Sequence, residues 1–405
     1  RYRAIDRPPA SSRYRGLRQY GMGPPSSGGS TVGEALNILE GYPLSQMTRA
    51  QALHYYLEAS AFSFADRGRY LGDPAFVDVP LAGLLSDSFA AERRALIGPT
   101  AATKPVPPGD PTDNEGPSTT HLTVADKWGN VVAYTFTIEQ TGGSGIVAGD
   151  AGFLLNNELT DFEFMPGLPN SPAANKRPRS SMSPTIVLRK GRPELTVGSP
   201  GGSTIITTVL QILVEHLDLG KSLPDAIASP RASQRNNPSV FAEPAFVASP
   251  DAMALQALGH AFADVPEIGA ATGIDFRAHG VMQAAAEPIR RGGGHAMAIG
   301  PRGRAPACSF FDVSKRPPRR AGRVGRRLHL SVFAHLNGMP ADARVTVRGA
   351  GVRALARATR GHAEVSIRPR SVGRLVIRVG ACVRRIPVLP SRASAVGATL
   401  TGRLR

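Results

Sequence analysis

Cysteine is scarce in this sequence of 405 residues, and long apolar runs are missing. Cys308 and Cys382 are the only cysteines. Two are too few for a disulfide framework or a thiolate metal site, so one bridge and two unreactive thiols both remain open. No run of about 18 apolar residues occurs, which predicts no membrane-spanning helix. A substantial core is still expected, because 41% of the residues are hydrophobic and the length suffices for two or three domains.

The first residues, R-Y-R-A-I-D, lack both methionine and the apolar core of a signal peptide. We therefore expect Arg1 to lie within a longer protein that has a segment upstream. These first residues do not indicate a compartment.

Acidic side chains are almost missing from the C-terminal quarter. Residues 315–405 contain 21 Lys or Arg but only Asp342 and Glu364, a balance of +19, whereas residues 1–314 have a balance of −2. Twenty of the 21 basic residues are arginine. Binding of a polyanion would explain this bias, and so would GC-rich coding.

A proline-rich stretch at 99–118 with almost no large apolar residue predicts an exposed connector. Before it, apolar residues at helical spacing predict helices at 30–40 and 48–67. After it, β-rich runs on both sides of K-W-G-N predict a hairpin, a second strand pair follows at 184–198, and an apolar helix follows at 203–217. Strands and helices sharing one core indicate layered α/β or α+β packing.

Short alternating strands separated by turn residues begin at about residue 328, a pattern typical of a small β-sandwich. The arginine-rich run before it predicts a linker. We therefore divide the chain into a large-subunit end, a catalytic segment, a basic linker, a sandwich and a basic tail. These segments are 1–118, 119–314, 315–327, 328–390 and 391–405.

Thr119 stands where the connector ends and a predicted strand begins. A threonine hydroxyl becomes a good nucleophile when a base takes its proton, and cleavage of the chain before Thr119 would supply its own α-amine as that base. Such a residue needs flexible chain before it and a strand after it. β-propensity alone would also place threonine here, so both interpretations remain open at this point.

Three further polar motifs follow. G-S-P-G-G-S at 198–203 precedes the apolar helix, where glycine amides and the helix N-terminus could stabilise an oxyanion or could simply form a tight turn. Three carboxylates would favour an ammonium if they converge, or could be solvated loop charges. Two neighbouring serines could hold a carboxylate or form a polar turn. These residues are Glu139, Glu158, Asp161, Ser180 and Ser181.

Together these stretches resemble the γ-glutamyltransferases, also called glutathione hydrolases, of the N-terminal-nucleophile superfamily. The likeness rests on four long motifs in the same order: T-T-H-L-T-V-A-D-K-W-G-N-V-V-A, G-S-G-I-V-A-G-D-A-G-F-L-L-N-N-E-L-T-D-F, N-K-R-P-R-S-S-M-S-P-T-I-V and G-S-P-G-G-S-T-I-I-T-T-V-L-Q. Upstream, P-P-S-S-G-G-S-T-V-G-E-A-L-N-I-L-E and F-A-D-R-G-R-Y-L-G-D-P look like the end of the family's large subunit. The resemblance covers roughly residues 15–300.

The resemblance implies which residues carry the chemistry. Thr119 matches the catalytic threonine, which is released when the precursor cuts itself between Ser118 and Thr119. Thr137 matches a second threonine that contacts the new amine. Gly201 and Gly202 match the glycines whose amides form the oxyanion hole.

The resemblance also implies how a γ-glutamyl donor is held. Glu139, Glu158 and Asp161 match positions that bind the α-amino group of the donor, and Ser180 and Ser181 match positions at its α-carboxylate. The family commonly has asparagine at the first of these positions. Its arginine that pairs with the α-carboxylate belongs to an early part of the large subunit that this sequence does not contain.

The implied fold is α+β: a four-layer αββα N-terminal-nucleophile hydrolase sandwich, truncated at its N-terminus. An immunoglobulin-like β-sandwich would follow it. The implied activity is transfer or hydrolysis of γ-glutamyl groups through an acyl-enzyme, with glutathione or a similar amide as donor and water, an amino acid or a peptide as acceptor. No metal or organic cofactor is implied. His121 also follows the family motif, and we interpret it as structural support.

Two alternatives remain. One is a related amidase or acylase, such as a cephalosporin-acylase-like enzyme; the other is an inactive secreted homologue whose basic sandwich docks on an anionic cell-envelope polymer. Retention of the complete set from Thr119 to Gly202 favours the enzyme. The expected partners are the large and small subunits of one precursor, with no nucleic acid. The family implies a secreted, periplasmic or envelope-associated location.

Overall fold

A computed structural model of the protein divides the chain into two compact units, Arg1–Ala298 and Ile299–Arg405. Ser118 and Cys308 lie outside the described residues, as do the connector residues 108–118 and the predicted tail 391–405. The structure describes residues 4–107, 119–126, 128–277, 281–298, 310–315, 322–323, 325–336, 339–340, 343–359, 362–379 and 382–389.

The first unit mixes strands and helices along the chain. Its strands are β1 (Ala10–Tyr14), β2 (Leu17–Gly21), β3 (Thr119–Ala125), β4 (Val131–Thr137), β5 (Thr185–Arg189), β6 (Arg192–Gly198), β7 (Ala232–Ser233), β8 (Val240–Ala242), β9 (Phe262–Asp264), β10 (Thr272–Phe276) and β11 (Met282–Ala286). Its helices are α1 (Gly28–Leu39), α2 (Arg49–Tyr70), α3 (Leu81–Leu84), α4 (Asp87–Arg94), α5 (Thr204–Leu217), α6 (Leu223–Ala228), α7 (Pro244–Val247) and α8 (Pro250–Ala257). Short 3₁₀ turns occur at Leu44–Gln46, Gly149–Ala151, Glu158–Asp161 and Arg290–Gly292.

Helix α2 begins at a capping box encoded in its own sequence. Thr48 Oγ1 accepts a hydrogen bond from the backbone N of Gln51 (3.3 Å), and the Gln51 side chain accepts one from the backbone N of Thr48 (3.0 Å). The two bonds satisfy donors that the helix start would otherwise leave without partners. The helices predicted at 30–40, 48–67 and 203–217 are confirmed as α1, α2 and α5.

Six antiparallel strands form the central sheet, in the order β1-β2-β5-β6-β10-β11. Helices α1, α5 and α6 cover one face of this sheet, and α2 packs on α1 and α5. The main hydrophobic core lies between these helices and the sheet, and it includes Val197 of β6 and Leu210 of α5. The strand pair predicted at 184–198 is confirmed as β5 and β6.

The hairpin predicted around K-W-G-N is confirmed as β3 and β4, which pair from Thr119↔Thr137 to Ala125↔Val131. It packs on the other face of the six-stranded sheet, against β5, β6 and β10. Because side chains alternate along a strand, one face of the hairpin is buried and the other is exposed. The exposed face carries five large apolar side chains: Leu122, Val124, Val132, Tyr134 and Phe136.

The described residues thus contain three of the four layers predicted for an αββα sandwich, namely helices, sheet and hairpin. Among these residues, no helical layer covers the outer face of the hairpin, where the five apolar side chains are 39–57% exposed. Strands β7, β8 and β9 form a separate small sheet. None of the described helices has the length and apolar character required to cross a membrane.

The second unit consists of strands β12 (Phe310–Lys315), β13 (Gly322–Arg323), β14 (Leu328–Leu336), β15 (Met339–Pro340), β16 (Ala343–Gly349), β17 (Val352–Ala358), β18 (His362–Ile367), β19 (Gly373–Val379) and β20 (Cys382–Leu389). One sheet joins β12, β14, β15 and β18, and the other has the order β13-β20-β19-β16-β17. Buried residues of both sheets, such as Val365 and Ile377, share one hydrophobic cluster. Two sheets sharing one core is the arrangement of a β-sandwich.

The first unit ends earlier than the predicted catalytic segment 119–314. Strand β12 pairs with β14 along its whole length, from Phe310↔His335 to Lys315↔Leu330, and therefore belongs to the second unit. Its sequence has strand propensity, but propensity does not identify the strand with which it will pair. This pairing also places Lys315, the predicted start of the linker, inside the second unit.

Candidate active site

Thr119 is the first residue of β3, directly opposite Thr137, the last residue of β4. The β-branched and aromatic residues in T-T-H-L-T-V and V-V-A-Y-T-F-T favour these two strands. Thr119 Oγ1 donates a hydrogen bond to Thr137 Oγ1 at 3.3 Å. The hairpin register therefore fixes the orientation of the predicted nucleophile through the second predicted threonine.

One pocket brings most of the predicted site residues together. Seven of its lining residues were predicted from the sequence; Met182 and Ile205 complete the wall. Gly201 precedes one lining residue, and Glu158 lies half-buried in the Glu158–Asp161 turn outside the lining set. The seven are Thr119, Thr137, Glu139, Asp161, Ser180, Ser181 and Gly202.

Glu139 is the most buried of the predicted carboxylates, with 6% of its surface exposed. Asn157 Nδ2 donates to its Oε2 at 2.5 Å, and the Glu139 backbone N donates to Thr137 Oγ1 at 2.8 Å. Its φ of +73° lies in the left-handed region that non-glycine residues rarely adopt. Strain of this kind persists where surrounding contacts hold a residue in place, as these two hydrogen bonds do.

Ser180 and Ser181 are buried residues that line the pocket, and hydrogen bonds from neighbouring residues hold them in place. The backbone N and the Oγ of Ser27, at the start of α1, both donate to Ser180 O at 2.8 Å. Met182 N donates to Ser180 Oγ at 3.2 Å, and Arg67 Nη2 donates to Ser181 Oγ at 2.8 Å. The helix start thus holds the backbone of Ser180, and the arginine positions the hydroxyl of Ser181.

Arg67 was missed by the sequence interpretation, although F-A-D-R-G-R lay within a matching motif. It belongs to the last turn of α2, is 1% exposed, and donates from Nε to Ser27 Oγ at 2.8 Å. An arginine inside a matching motif, at the end of a predicted helix, was the available signal, because an arginine that the fold buries almost always has specific partners.

Gly201 and Gly202 lie in the turn between β6 and α5, with φ of +143° and +58°. A Cβ on Gly201 would come within 2.7 Å of Thr204 Oγ1, so the position has no room for a side chain. The turn leads into α5, where Ile205 N bonds to Gly202 O at 3.0 Å. Backbone amides at a helix start carry partial positive charge and are suited to an oxyanion.

His121 bridges the hairpin internally, with Nδ1 2.7 Å from Thr135 Oγ1 and Nε2 3.1 Å from Thr123 Oγ1. Burial lowers the pKa of His121 to about 4. The imidazole is therefore neutral at neutral pH. It lies against Gly198, where a Cβ would approach its ring within 2.2 Å, so it supports the packing of hairpin on sheet.

His54, Glu58 and His260 form a second polar cluster, in which one ligand-type atom of each lies within 4.8 Å of the others. Each side chain already has a protein partner. His54 Nδ1 is 2.9 Å from His260 Nε2, His54 Nε2 is 2.9 Å from Gly98 O, and Lys104 Nζ donates to Glu58 Oε1 at 2.6 Å. Because Glu58 is already paired with an ammonium and His54 uses both ring nitrogens in hydrogen bonds, the cluster is a satisfied polar network of the core.

The chain matches known proteins over its first unit. A family model described as gamma-glutamyltranspeptidase matches residues 1–297. The glutathione hydrolase proenzyme of Escherichia coli is 41% identical over 304 residues, 71% of this chain and 52% of the relative. That of Bacillus subtilis is 41% identical over 299 residues, 69% of this chain and 51% of the relative.

Among solved structures, a cephalosporin acylase from Bacillus halodurans superposes with a TM-score of 0.64 at 28% identity, covering 72% of this chain and 53% of that chain. This likeness shows the mixed helix-and-sheet fold of the first unit. The chain spans about half the length of the curated relatives it matches.

Proposed function

Because the chain belongs to the gamma-glutamyltranspeptidase family, we propose that the complete protein is a γ-glutamyltransferase and glutathione hydrolase proenzyme. It cuts itself between Ser118 and Thr119 and then transfers or hydrolyses γ-glutamyl groups. The observation that carries this proposal is the position of Thr119, which starts a strand and lines one pocket with Glu139, Asp161 and the Ser180–Ser181 pair.

The proposed reaction uses only groups of the chain itself. The α-amine of Thr119 takes the hydroxyl proton as Oγ1 attacks the γ-carbonyl carbon of the donor. The amides of Gly201 and Gly202 stabilise the oxyanion. The amide C–N bond then breaks, the leaving amine takes the proton, and an ester to Thr119 remains. Water or an acceptor amine attacks this ester and releases glutamate or a new γ-glutamyl amide.

The donor's α-ammonium would lie at the carboxylates Glu139 and Asp161, with Glu158 close by in the same turn as Asp161. Its α-carboxylate would lie at the two serine hydroxyls. Ion pairs of this kind discriminate strongly, because a buried carboxylate that loses its partner costs about 1–3 kcal/mol or more. We therefore expect donors with a free α-amine to be preferred about 5-fold to 100-fold over deaminated analogues.

Self-cleavage is tested by N-terminal sequencing of the subunits of the complete protein. One subunit should begin at Thr119, and Thr119→Ala should abolish both cleavage and turnover. Thr120→Ala is the matched control, because its exposed side chain points to the other face of the strand. A subunit beginning elsewhere, or an uncut but fully active protein, contradicts the proposal.

A related acylase is the second candidate, favoured by the superposition on a cephalosporin acylase. The two candidates differ in how they use the carboxylates of the pocket. A γ-glutamyl enzyme should turn over glutathione far faster than deaminated glutathione, whereas equal kcat/KM for the two would favour the acylase.

The large subunit is proposed to extend over the outer face of the hairpin with polypeptide beyond this chain. Support comes from the clustering of exposed apolar residues: more than half of the exposed large hydrophobic side chains among the described residues lie between Leu122 and Met165. An apolar surface of this extent usually marks an interface. In addition, the relatives are about twice as long as the part this chain matches.

Charge placed on the hairpin face tests this partner. In the complete protein, Tyr134→Glu should lower the free energy of unfolding by about 1–3 kcal/mol, because it buries an unpaired charge. Met253→Glu, at an exposed position on α8, should change it by less than about 0.5 kcal/mol. Equal effects of the two substitutions would mean that the hairpin face stays in solvent.

The second unit is proposed to be an immunoglobulin-like module that docks on an anionic cell-envelope polymer, with the protein secreted, periplasmic or envelope-associated. Support comes from cross-strand pairs of exposed arginines on β16 and β17, Arg344 opposite Arg357 and Arg348 opposite Arg353. Like charges directly opposite each other destabilise a sheet unless an anion lies between them. Arg348→Gln combined with Arg353→Gln should weaken retention on immobilised polyphosphate and reduce its salt dependence, whereas Arg326→Gln combined with Arg327→Gln, outside the sheet, should have a smaller effect.

A further inference from the structure

Arg67 connects two helices to the pocket wall that faces the predicted α-carboxylate. Its Nε donates to Ser27 Oγ and its Nη2 donates to Ser181 Oγ, each at 2.8 Å. Ser27 in turn donates to Ser180 O. Through these contacts one guanidinium, at the end of α2, reaches Ser181 directly and Ser180 by way of Ser27.

Arg67 does not line the pocket, but its charge can act on a bound ligand through Ser181. A hydroxyl that accepts a hydrogen bond from a guanidinium is polarised and becomes a stronger donor through its own hydrogen. Ser181 is such a hydroxyl, and it lines the pocket. Because Arg67 and Ser181 are only 1% and 3% exposed, water screens this interaction little.

We propose that Arg67 is a positioning residue for the donor's α-carboxylate, acting through the hydroxyl of Ser181 and, by way of Ser27, through the backbone of Ser180. This assignment rests on the proposed function. It gives the pocket a cation supplied by the matched part of the chain, in the motif F-A-D-R-G-R. The ligand chemistry it selects is an α-amino acid whose carboxylate is ionised, rather than an α-amide.

The test compares two ligands that differ only in that group, L-glutamate and its α-amide. Binding to the complete protein is measured by calorimetry, and kcat/KM is measured for γ-glutamyl donors with an α-carboxylate or an α-carboxamide. The unsubstituted protein should prefer the carboxylate ligand. Arg67→Gln should weaken its binding about 10-fold to 100-fold, the usual range for a hydrogen bond to a charged group, and should change binding of the amide less than about 3-fold.

Two milder substitutions keep the test decisive if Arg67→Gln does not fold. Arg67→Lys retains the charge but not the two-bond geometry, so it should restore part of the preference for carboxylate. Ser27→Ala removes one anchor of the guanidinium and should reduce that preference by a smaller factor. A purely structural role would lower binding of both ligands together.

Arg231→Gln is the matched control, because Arg231 is also 1% exposed, but its guanidinium bonds to Ile227, Ile268 and Glu287, none of which lines the pocket. Glu287, the ion-pair partner of Arg231, would still form its ion pair with Arg290, at 3.0 Å. This substitution should leave the ratio of the two affinities unchanged. If Arg67→Gln and Arg67→Lys also leave the ratio unchanged, the role of Arg67 is refuted while the proposed function stands. If the unsubstituted protein neither binds glutamate nor turns over the donors, the proposed function fails, and the role of Arg67 fails with it.

Discussion

Replacing His121 by glutamine should reduce the loss of unfolding free energy on acidification, although it should make the protein less stable at neutral pH. The imidazole is 7% exposed and bridges Thr135 and Thr123 on the inner face of the hairpin. Glutamine keeps a donor and an acceptor at this position but does not titrate. We expect it to cost about 1–3 kcal/mol at pH 7.5, because one of the two bridges and part of the ring packing are lost.

The acid effect follows from the lowered pKa of His121, about 4 in the folded protein, against about 6.5 in an unfolded chain. Between these values the unfolded chain binds more protons, so stability must fall as the pH falls across that window. From pH 7.5 to 5 the loss attributable to His121 is about 2 kcal/mol.

His260 provides the matched control, because burial lowers its pKa to about 3 at a site away from the pocket. It should contribute a similar loss of about 2 kcal/mol over the same pH range. Denaturant unfolding at pH 7.5 and 5, followed by circular dichroism, should show a smaller difference in unfolding free energy for His121→Gln and for His260→Gln than for the unsubstituted protein. In β3 and β4, the fall in hydrogen-exchange protection between pH 7.5 and pH 5 should be smaller for His121→Gln than for the unsubstituted protein or for His260→Gln.

The reasoning is refuted if His121→Gln loses as much stability between pH 7.5 and 5 as the unsubstituted protein does. That result would mean that His121 is protonated in the folded protein at pH 5. The packing of its ring against Gly198 would then tolerate a charge.

Three further outcomes are expected. Gly201→Ala should cost about 1–3 kcal/mol of stability and nearly abolish turnover, since a φ of +143° and a 2.7 Å approach to Thr204 Oγ1 leave no room for a methyl group. Gly220→Ala, with φ of +70° and open space around it, should cost about 1 kcal/mol and leave turnover unchanged. Normal turnover in Gly201→Ala would exclude an oxyanion role. Burial and the neighbouring Asp66 raise the pKa of Glu34 well above its usual range, so its ionisation opposes folding as the pH rises above about 5. Glu34→Gln should therefore flatten the decline of the unfolding free energy up to pH 9, and an unchanged slope would contradict this. Removing everything after Ala298 from the complete protein should leave kcat nearly unchanged and reduce salt-sensitive retention on anionic resin. Loss of activity in a truncated enzyme that still folds would connect the second unit to the chemistry.

Elements whose signal is local could be predicted from the sequence. The capping box at Thr48 and the apolar spacing after it define α2 within a few residues, and the β-branched runs on both sides of K-W-G-N define the hairpin. The alternating strands of the second unit were predictable for the same reason; β18, for example, buries every second side chain. Thr119 was likewise placed correctly at a strand start, because the change from proline-rich chain to β-rich chain is visible in the residues themselves.

What the sequence left open depends on contacts between distant parts of the chain. Strand β12 carries a strand pattern, but only its pairing with β14 assigns it to the second unit. Glu139 and Glu158 look alike as acidic loop residues, yet only the first lines the pocket. Arg67 looked like one more polar residue near a helix end until the fold brought it against Ser181. Propensity and periodicity act between residues a few positions apart. Pairing partners, pocket walls and buried ion contacts depend on which surfaces meet when the core closes, and these contacts are a property of the whole folded unit.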